Sequence, residues 1–167
     1  MTRINGPIRP ACLCDQHLHA EYRELPRIQA LVKKFVENER SPDEIPQDFR
    51  LGKGHVKFFY DKGRYLQERF SDICQELQYR GYRLNFTTYE DHPEGFHKDA
   101  KFSIDDHIMI VQRVLDRCPE KPRRYSDPIS PKMYRNILVR DLKALGVPKE
   151  RGEEIGGWLL DAEDVMK

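Results

Sequence analysis

Apolar residues recur at helical spacing in four stretches of the chain. Over residues 15–38, Leu18, Tyr22, Leu25, Val32 and Val36 fall on one face of a helical wheel. Gln16, Ala20, Arg23, Arg27, Ala30 and Lys34 fall on the opposite face. Asp15 is the expected N-cap of this helix. A second helix is expected over 62–80, with a stripe of Tyr65, Leu66, Phe70, Ile73 and Leu77, and Gly81 as its stop. A third, over 104–117, presents Ile104, Ile108, Val111 and Leu115 and is ended by Pro119 and Pro122. A fourth opens with Ser130 as N-cap and Pro131 in its first turn, and runs to residue 145, before Gly146. Between them lie a proline-containing loop at 39–50 and an irregular stretch at 82–103. The aromatics of that stretch, Tyr82, Phe86 and Tyr89, are available to patch the core. No strand-like alternation persists and no repeat occurs. The fold class is therefore all-α, a single compact domain of three main helices (1–125) followed by a C-terminal helical extension (126–167).

Pro26 interrupts the pattern of the first helix. A proline inside a helix removes a hydrogen bond, clashes with the carbonyl four residues back, and costs roughly 3 kcal/mol. Here that carbonyl belongs to Tyr22, and Pro26 is flanked by Arg23, Glu24 and Arg27. Such a proline is expected to bend the helix and shape a surface rather than to end the element.

Charge distribution is more informative than net charge, which is only +1. Residues 1–36 carry six Lys/Arg against three Asp/Glu, residues 50–83 eight against four, and residues 111–143 nine against four. Basic segments separated by acidic ones are compatible with a basic face on a near-neutral protein, or simply with solvated helix faces. No apolar run approaches the roughly 20 residues of a membrane helix. The opening "MTRINGPIRP" lacks the apolar stretch of a secretory signal, so a cytoplasmic protein is expected. Cys12, Cys14, Cys74 and Cys118 have no spacing typical of zinc sites or disulfide frameworks and read as reduced thiols.

The histidines give little support to a metal site. His17 and His19 are two apart on a helix and point about 200° away from each other. His92, His97 and His107 have no neighbouring ligand pattern. Arg23 and Arg27, by contrast, are four apart and project together, with Gln16 and Lys34 on the same side. That stripe can straddle a phosphate backbone. Glu24 lies beside it, where a carboxylate could exchange protons with a nearby cationic intermediate. A surface salt-bridge cluster is the alternative reading of the same residues.

Three stretches, "MTRIN" at the start, "DQHLHAEYRELPR" at 15–27 and "LGKGHVKFFYDKGRYLQERF" at 51–70, resemble the phage endonuclease V family, the pyrimidine-dimer DNA glycosylases. The resemblance spans residues 1–83 and continues more weakly to about Tyr125. It implies a mostly helical monomer, active on double-stranded damaged DNA without metal or organic cofactor, in a phage or bacterial type of host cell. It also implies base removal followed by backbone cleavage through β-elimination. Loss of the initiator methionine would expose the α-amino group of Thr2 as nucleophile. The essential glutamate falls on Glu24, and the DNA-binding residues match Arg3, Gln16, His17, Arg23 and Arg27. The resemblance further implies flipping of the base opposite the lesion.

The chemistry suits these residue types. An α-amino group has a pKa of about 7.7–8.0, so part of it is neutral and nucleophilic at neutral pH, whereas a lysine near 10.4 would need strong desolvation. The sequence departs from the family in its C-terminal segment. Where relatives carry a tryptophan, tyrosines and lysine that contact the dimer, this chain reads "KPRRYSDPIS", retaining Tyr125, with Trp158 far downstream. Base contacts set specificity, so a different damaged base is a second expectation for the substrate. A helical DNA-binding module without catalysis is the reading from another class.

Overall fold

The structure, a computed structural model, describes residues 4–148 and residue 151. Helix α1 spans Asp15–Glu37, α2 His55–Phe58, α3 Gly63–Tyr79, α4 Ile104–Asp116 and α5 Pro131–Ala144. Short 3-10 turns occupy Pro10–Cys12 and Pro42–Glu44, and two-residue strands β1 (Arg123–Arg124) and β2 (Asp127–Pro128) pair antiparallel. The fold is all-α, as the periodicity predicts. The turn α2 and the hairpin escape sequence reading because neither is long enough to show a period.

The helix ends follow local chemistry. Ser130 accepts a hydrogen bond from the Met133 amide, with Pro131 behind it in the first turn of α5. Gly81 and Gly146 take positive φ (85° and 82°) directly after α3 and α5. The next amides, Tyr82 and Val147, bond back to the carbonyls of Leu77 and Leu142 at 3.0 and 3.2 Å, which satisfies end carbonyls in the Schellman manner. α1 continues without a break through Pro26, so the proline does not end the element.

Three expectations for the helices are corrected. Cys14, not Asp15, is the N-cap of α1, and Asp15 makes no cap bond. Its carboxylate is turned inward to Arg80 (Nη1 at 2.9 Å), the Tyr82 hydroxyl (2.7 Å) and the Ser126 amide (2.9 Å). Burial works against ionisation there, but these three donors outweigh it and hold the Asp15 carboxyl below its ordinary range. Val36 is exposed; the core position near the end of α1 is Phe35, whose ring packs edge-on against Tyr60 and Phe96. Ile104, at the very start of α4, is also exposed, and that helix packs through Ile108, Ile110, Val111 and Val114.

α1 and α3 pack together at the centre of the molecule. Leu18, Leu25, Ile28 and Val32 meet Leu66, Phe70, Ile73 and Leu77 in one core. The irregular stretch after α3 contributes as expected. Phe86 stacks on Tyr22 and Phe70 with centroids 4.8 and 5.9 Å away, and Tyr89 is buried. α5 belongs to the same core, with Tyr134, Leu138 and Leu142 each no more than 1% exposed. Its buried Asp141 accepts from Arg9 at 2.5 Å, tying α5 to the N-terminal segment.

Candidate functional site

α1 builds the site. At about 100° per residue, Arg23, Gln16, Arg27, Ala20, Glu24 and His17 spread across one broad face, with Glu21 just beyond it on the core side. Glu21 is fully buried. It takes a two-pronged bond from Arg69 of α3, Nε to Oε1 at 2.9 Å and Nη2 to Oε2 at 3.0 Å. The same carboxylate accepts from the Asn5 side chain at 3.0 Å, and Arg69 also donates to the Ile8 carbonyl. A buried carboxylate is tolerable only when paired and hydrogen-bonded in this way. The consequence is positional: the N-terminal segment is laid along α1 and held there. Ile4, fully buried, adds its amide, which donates to His55 Nε2 at 3.4 Å.

Two recesses adjoin this anchored segment. Asn5, His17 and Ala20 face Arg113, Val114 and Arg117 across the smaller one. The larger, a cleft of about 480 Å³, is lined by Leu51, Gly52, Lys53, His55 and Val56 on one side and Arg113, Asp116 and Arg117 on the other. Arg113 and Arg117 border both, so the last turns of α4 form a basic ridge between them. Segments that are basic in sequence, 50–83 and 111–143, thus meet at this cleft, where Lys53, Arg113 and Arg117 outweigh Asp116.

Of the residues expected in the site, Thr2 and Arg3 lie outside the described residues. Glu24 and Arg27 are brought together, with Arg27 Nη1 donating to Glu24 Oε1 at 2.8 Å. The other oxygen, Glu24 Oε2, is shielded from solvent and has no hydrogen-bond partner among the described residues. Arg23 projects into solvent without an ion pair among those residues. Gln16 is engaged in a structural clamp: its amide donates to the Lys121 carbonyl at 2.7 Å and accepts from the Arg123 amide at 3.0 Å. His17 bridges three elements. Its Nδ1 is 2.8 Å from the Tyr134 hydroxyl of α5, and its Nε2 is 3.1 Å from the Arg117 carbonyl at the end of α4. A carbonyl can only accept, so Nε2 carries the proton and Nδ1 accepts from Tyr134.

Sequence reading missed Asn5, Glu21, His55, Arg69, Arg113 and Arg117. Glu21 did leave a signal, because it falls between Leu25 and Ile28 on the apolar face of α1, where a carboxylate demands a buried cation. His55 and Arg113 left none, being brought together from 58 residues apart.

Among the described residues no helix is long and apolar enough to cross a membrane. The family model for pyrimidine dimer DNA glycosylases matches residues 1–90, which carry α1, α2, α3 and the anchored N-terminal segment. That match covers more than half of the 167 residues. The basic cleft, the arginine-flanked carboxylate of α1 and the helical architecture agree with it, and the chain belongs to the pyrimidine dimer DNA glycosylase family, DNA-repair enzymes whose substrate is damaged DNA.

Proposed function

We propose that this glycosylase is bifunctional, removing the damaged base and then cutting the strand, with the α-amino group of Thr2 as nucleophile and Glu24 as its proton-handling partner. Once Met1 is removed, the amine nitrogen attacks C1′ of the damaged nucleotide. The C1′–N glycosidic bond breaks, and the base leaves with a proton. Ring opening gives an imine between the N-terminus and the sugar. Loss of a C2′ proton then expels the 3′ phosphate by β-elimination, and water releases the enzyme. Glu24 stabilises the cationic intermediates and carries the protons of ring opening and elimination. Arg3, Gln16, His17, Arg23 and Arg27 are the proposed DNA-binding set, with Arg23 and Arg27 the members whose exposed guanidinium groups best suit phosphates.

The observation that carries this reading is the state of Glu24. One oxygen is held by Arg27, and the other is withdrawn from water and unpaired among the described residues. An unsatisfied buried acceptor costs about 1–3 kcal/mol, more when charged, and a cationic amine or imine would satisfy it. Chain geometry agrees. The Asn5 side chain bonds to Glu21, three residues before Glu24 on α1, so the N-terminal segment is held beside the turn that carries Glu24.

The test is reductive trapping. Protein lacking Met1 is incubated with duplex DNA bearing an abasic site, then reduced with borohydride. A covalent adduct on the N-terminal peptide is expected; absence of any adduct overturns the proposal. Glu24→Gln should keep DNA binding and lose strand cleavage, and unchanged cleavage would remove Glu24 from the mechanism.

Ultraviolet pyrimidine dimers are the proposed substrate. One observation favours a second reading, a different damaged base. Arg113, Asp116 and Arg117, which wall the larger cleft, lie beyond the residues that match the family. Tyr125 sits at the hairpin tip under two guanidinium groups, with Arg80 and Arg124 5.0 and 4.8 Å from its ring. Cleavage of irradiated against chemically modified duplexes decides between the two.

A further inference from the structure

His55 stands where the N-terminal segment, α2 and α4 meet, and none of the chemistry above uses it. Its ring is nearly fully buried, packed edge-on between Phe49 and Phe59 with both centroids at 5.5 Å. Nδ1 is 2.9 Å from the Arg50 carbonyl, which can only accept, so the proton of the neutral ring sits on Nδ1. Nε2 is left as a lone pair. Two donors converge on it: the Ile4 amide at 3.4 Å and Arg113 Nη1 at 3.3 Å. A proton on Nε2 would oppose both.

We infer that His55 is a positioning residue of the reaction: its Nε2 lone pair fixes the backbone at Ile4, two residues from the nucleophilic amine, and ties it to Arg113 on the ridge of the cleft. The inference rests on the proposed N-terminal nucleophile. Physically, the segment that leads to the amine is anchored by the Asn5 side chain and the Ile8 carbonyl, and its backbone at Ile4 is held by this ring. Arg113 borders both recesses, so the same nitrogen that locates the amine also locates a cation facing the DNA. Burial, with the Arg113 charge adding to it, pushes the His55 pKa down to about 4, so the lone pair is available throughout the working range of an amine nucleophile. Displacing a reacting group by about 1 Å can slow a reaction on the order of 100-fold.

The experiment compares unmodified protein, His55→Leu and His55→Gln in single-turnover borohydride trapping on abasic-site duplex, with Kd for that duplex measured in parallel. Leucine fills the site without an acceptor, and glutamine restores one near the position of Nε2. His55→Leu should trap roughly 10- to 100-fold more slowly with Kd changed less than about threefold, and His55→Gln should recover most of the rate. An unchanged rate in His55→Leu, equal slowing in both variants, or a rate loss matched by Kd overturns the inference while wild-type trapping on the N-terminal peptide leaves the nucleophile intact. If wild-type protein traps nothing, the nucleophile and this inference fall together. Should either variant fail to fold, nitrogen-15 NMR of the wild-type imidazole decides. A proton on Nδ1 is expected at neutral pH, and one on Nε2 overturns the proposal.

Discussion

The buried pair Glu21–Arg69 carries the load of anchoring the N-terminal segment, and a double-mutant cycle measures it. The Glu21 side chain is fully buried and that of Arg69 is 5% exposed, so solvent screens neither. Glu21→Leu leaves the guanidinium in the core with the Ile8 carbonyl as its remaining partner here. Removing one member of a buried pair costs about 3–5 kcal/mol. Arg69→Met strands the carboxylate with only the Asn5 amide and should cost a similar amount. The double variant buries two apolar side chains between α1 and α3, which by itself is neutral or better. It still leaves the Asn5 amide and the Ile8 carbonyl without their partners, about 1–3 kcal/mol each. The singles together therefore cost about 6–10 kcal/mol and the double about 2–6, a coupling of about 4 kcal/mol. For a chain of this length each kcal/mol moves Tm by about 2–4 °C, so each single variant should melt about 6–20 °C lower. Urea unfolding of the four proteins is the assay. Additivity within about 0.5 kcal/mol, or a Glu21→Leu cost below about 1 kcal/mol, would refute the argument that the pair is a desolvated unit.

Gly63→Ala should destabilise by about 1–3 kcal/mol in the same assay, because a Cβ there would lie 2.8 Å from both the His92 side chain and the Phe96 carbonyl oxygen. Arg27→Ala should weaken DNA binding and flatten the slope of log K against log salt by about 0.9, measured by fluorescence titration; an unchanged slope denies Arg27 a phosphate contact. The His55 pKa is lowered on folding, from about 6.5 to about 4, so the unfolded chain takes up its proton first as pH falls. The stability that His55 contributes is therefore complete above about pH 6.5 and lost on the way down to pH 4, about 3 kcal/mol in all. The difference in unfolding free energy between wild type and His55→Leu should shrink by that amount over this window, and a constant difference would contradict it.

The four long helices, the stops at Gly81 and Gly146 and the Ser130 cap were legible in the sequence, because each depends on residues within about four positions of one another. The motif around Glu24 and Arg27 was equally local, and it carried the family. Asp15 shows where such reading stops. A carboxylate before an apolar run looks like a cap, but it is claimed by Arg80, Tyr82 and Ser126, the last 111 residues away. Gln16 and His17, which the family resemblance gives as DNA-binding, also have partners that no local reading supplies. In the folded chain both ring nitrogens of His17 and both ends of the Gln16 amide meet groups 100 or more residues away.

Which surface each helix buries, and which family it belongs to, follow from periodicity and a few consecutive residues. The cleft was decided by tertiary structure alone, because its walls come from the loop before α2, from α2 itself and from the end of α4. Polar partners such as Glu21 and Arg69, or His55 and Arg113, find each other only when packing excludes the water that would otherwise solvate them.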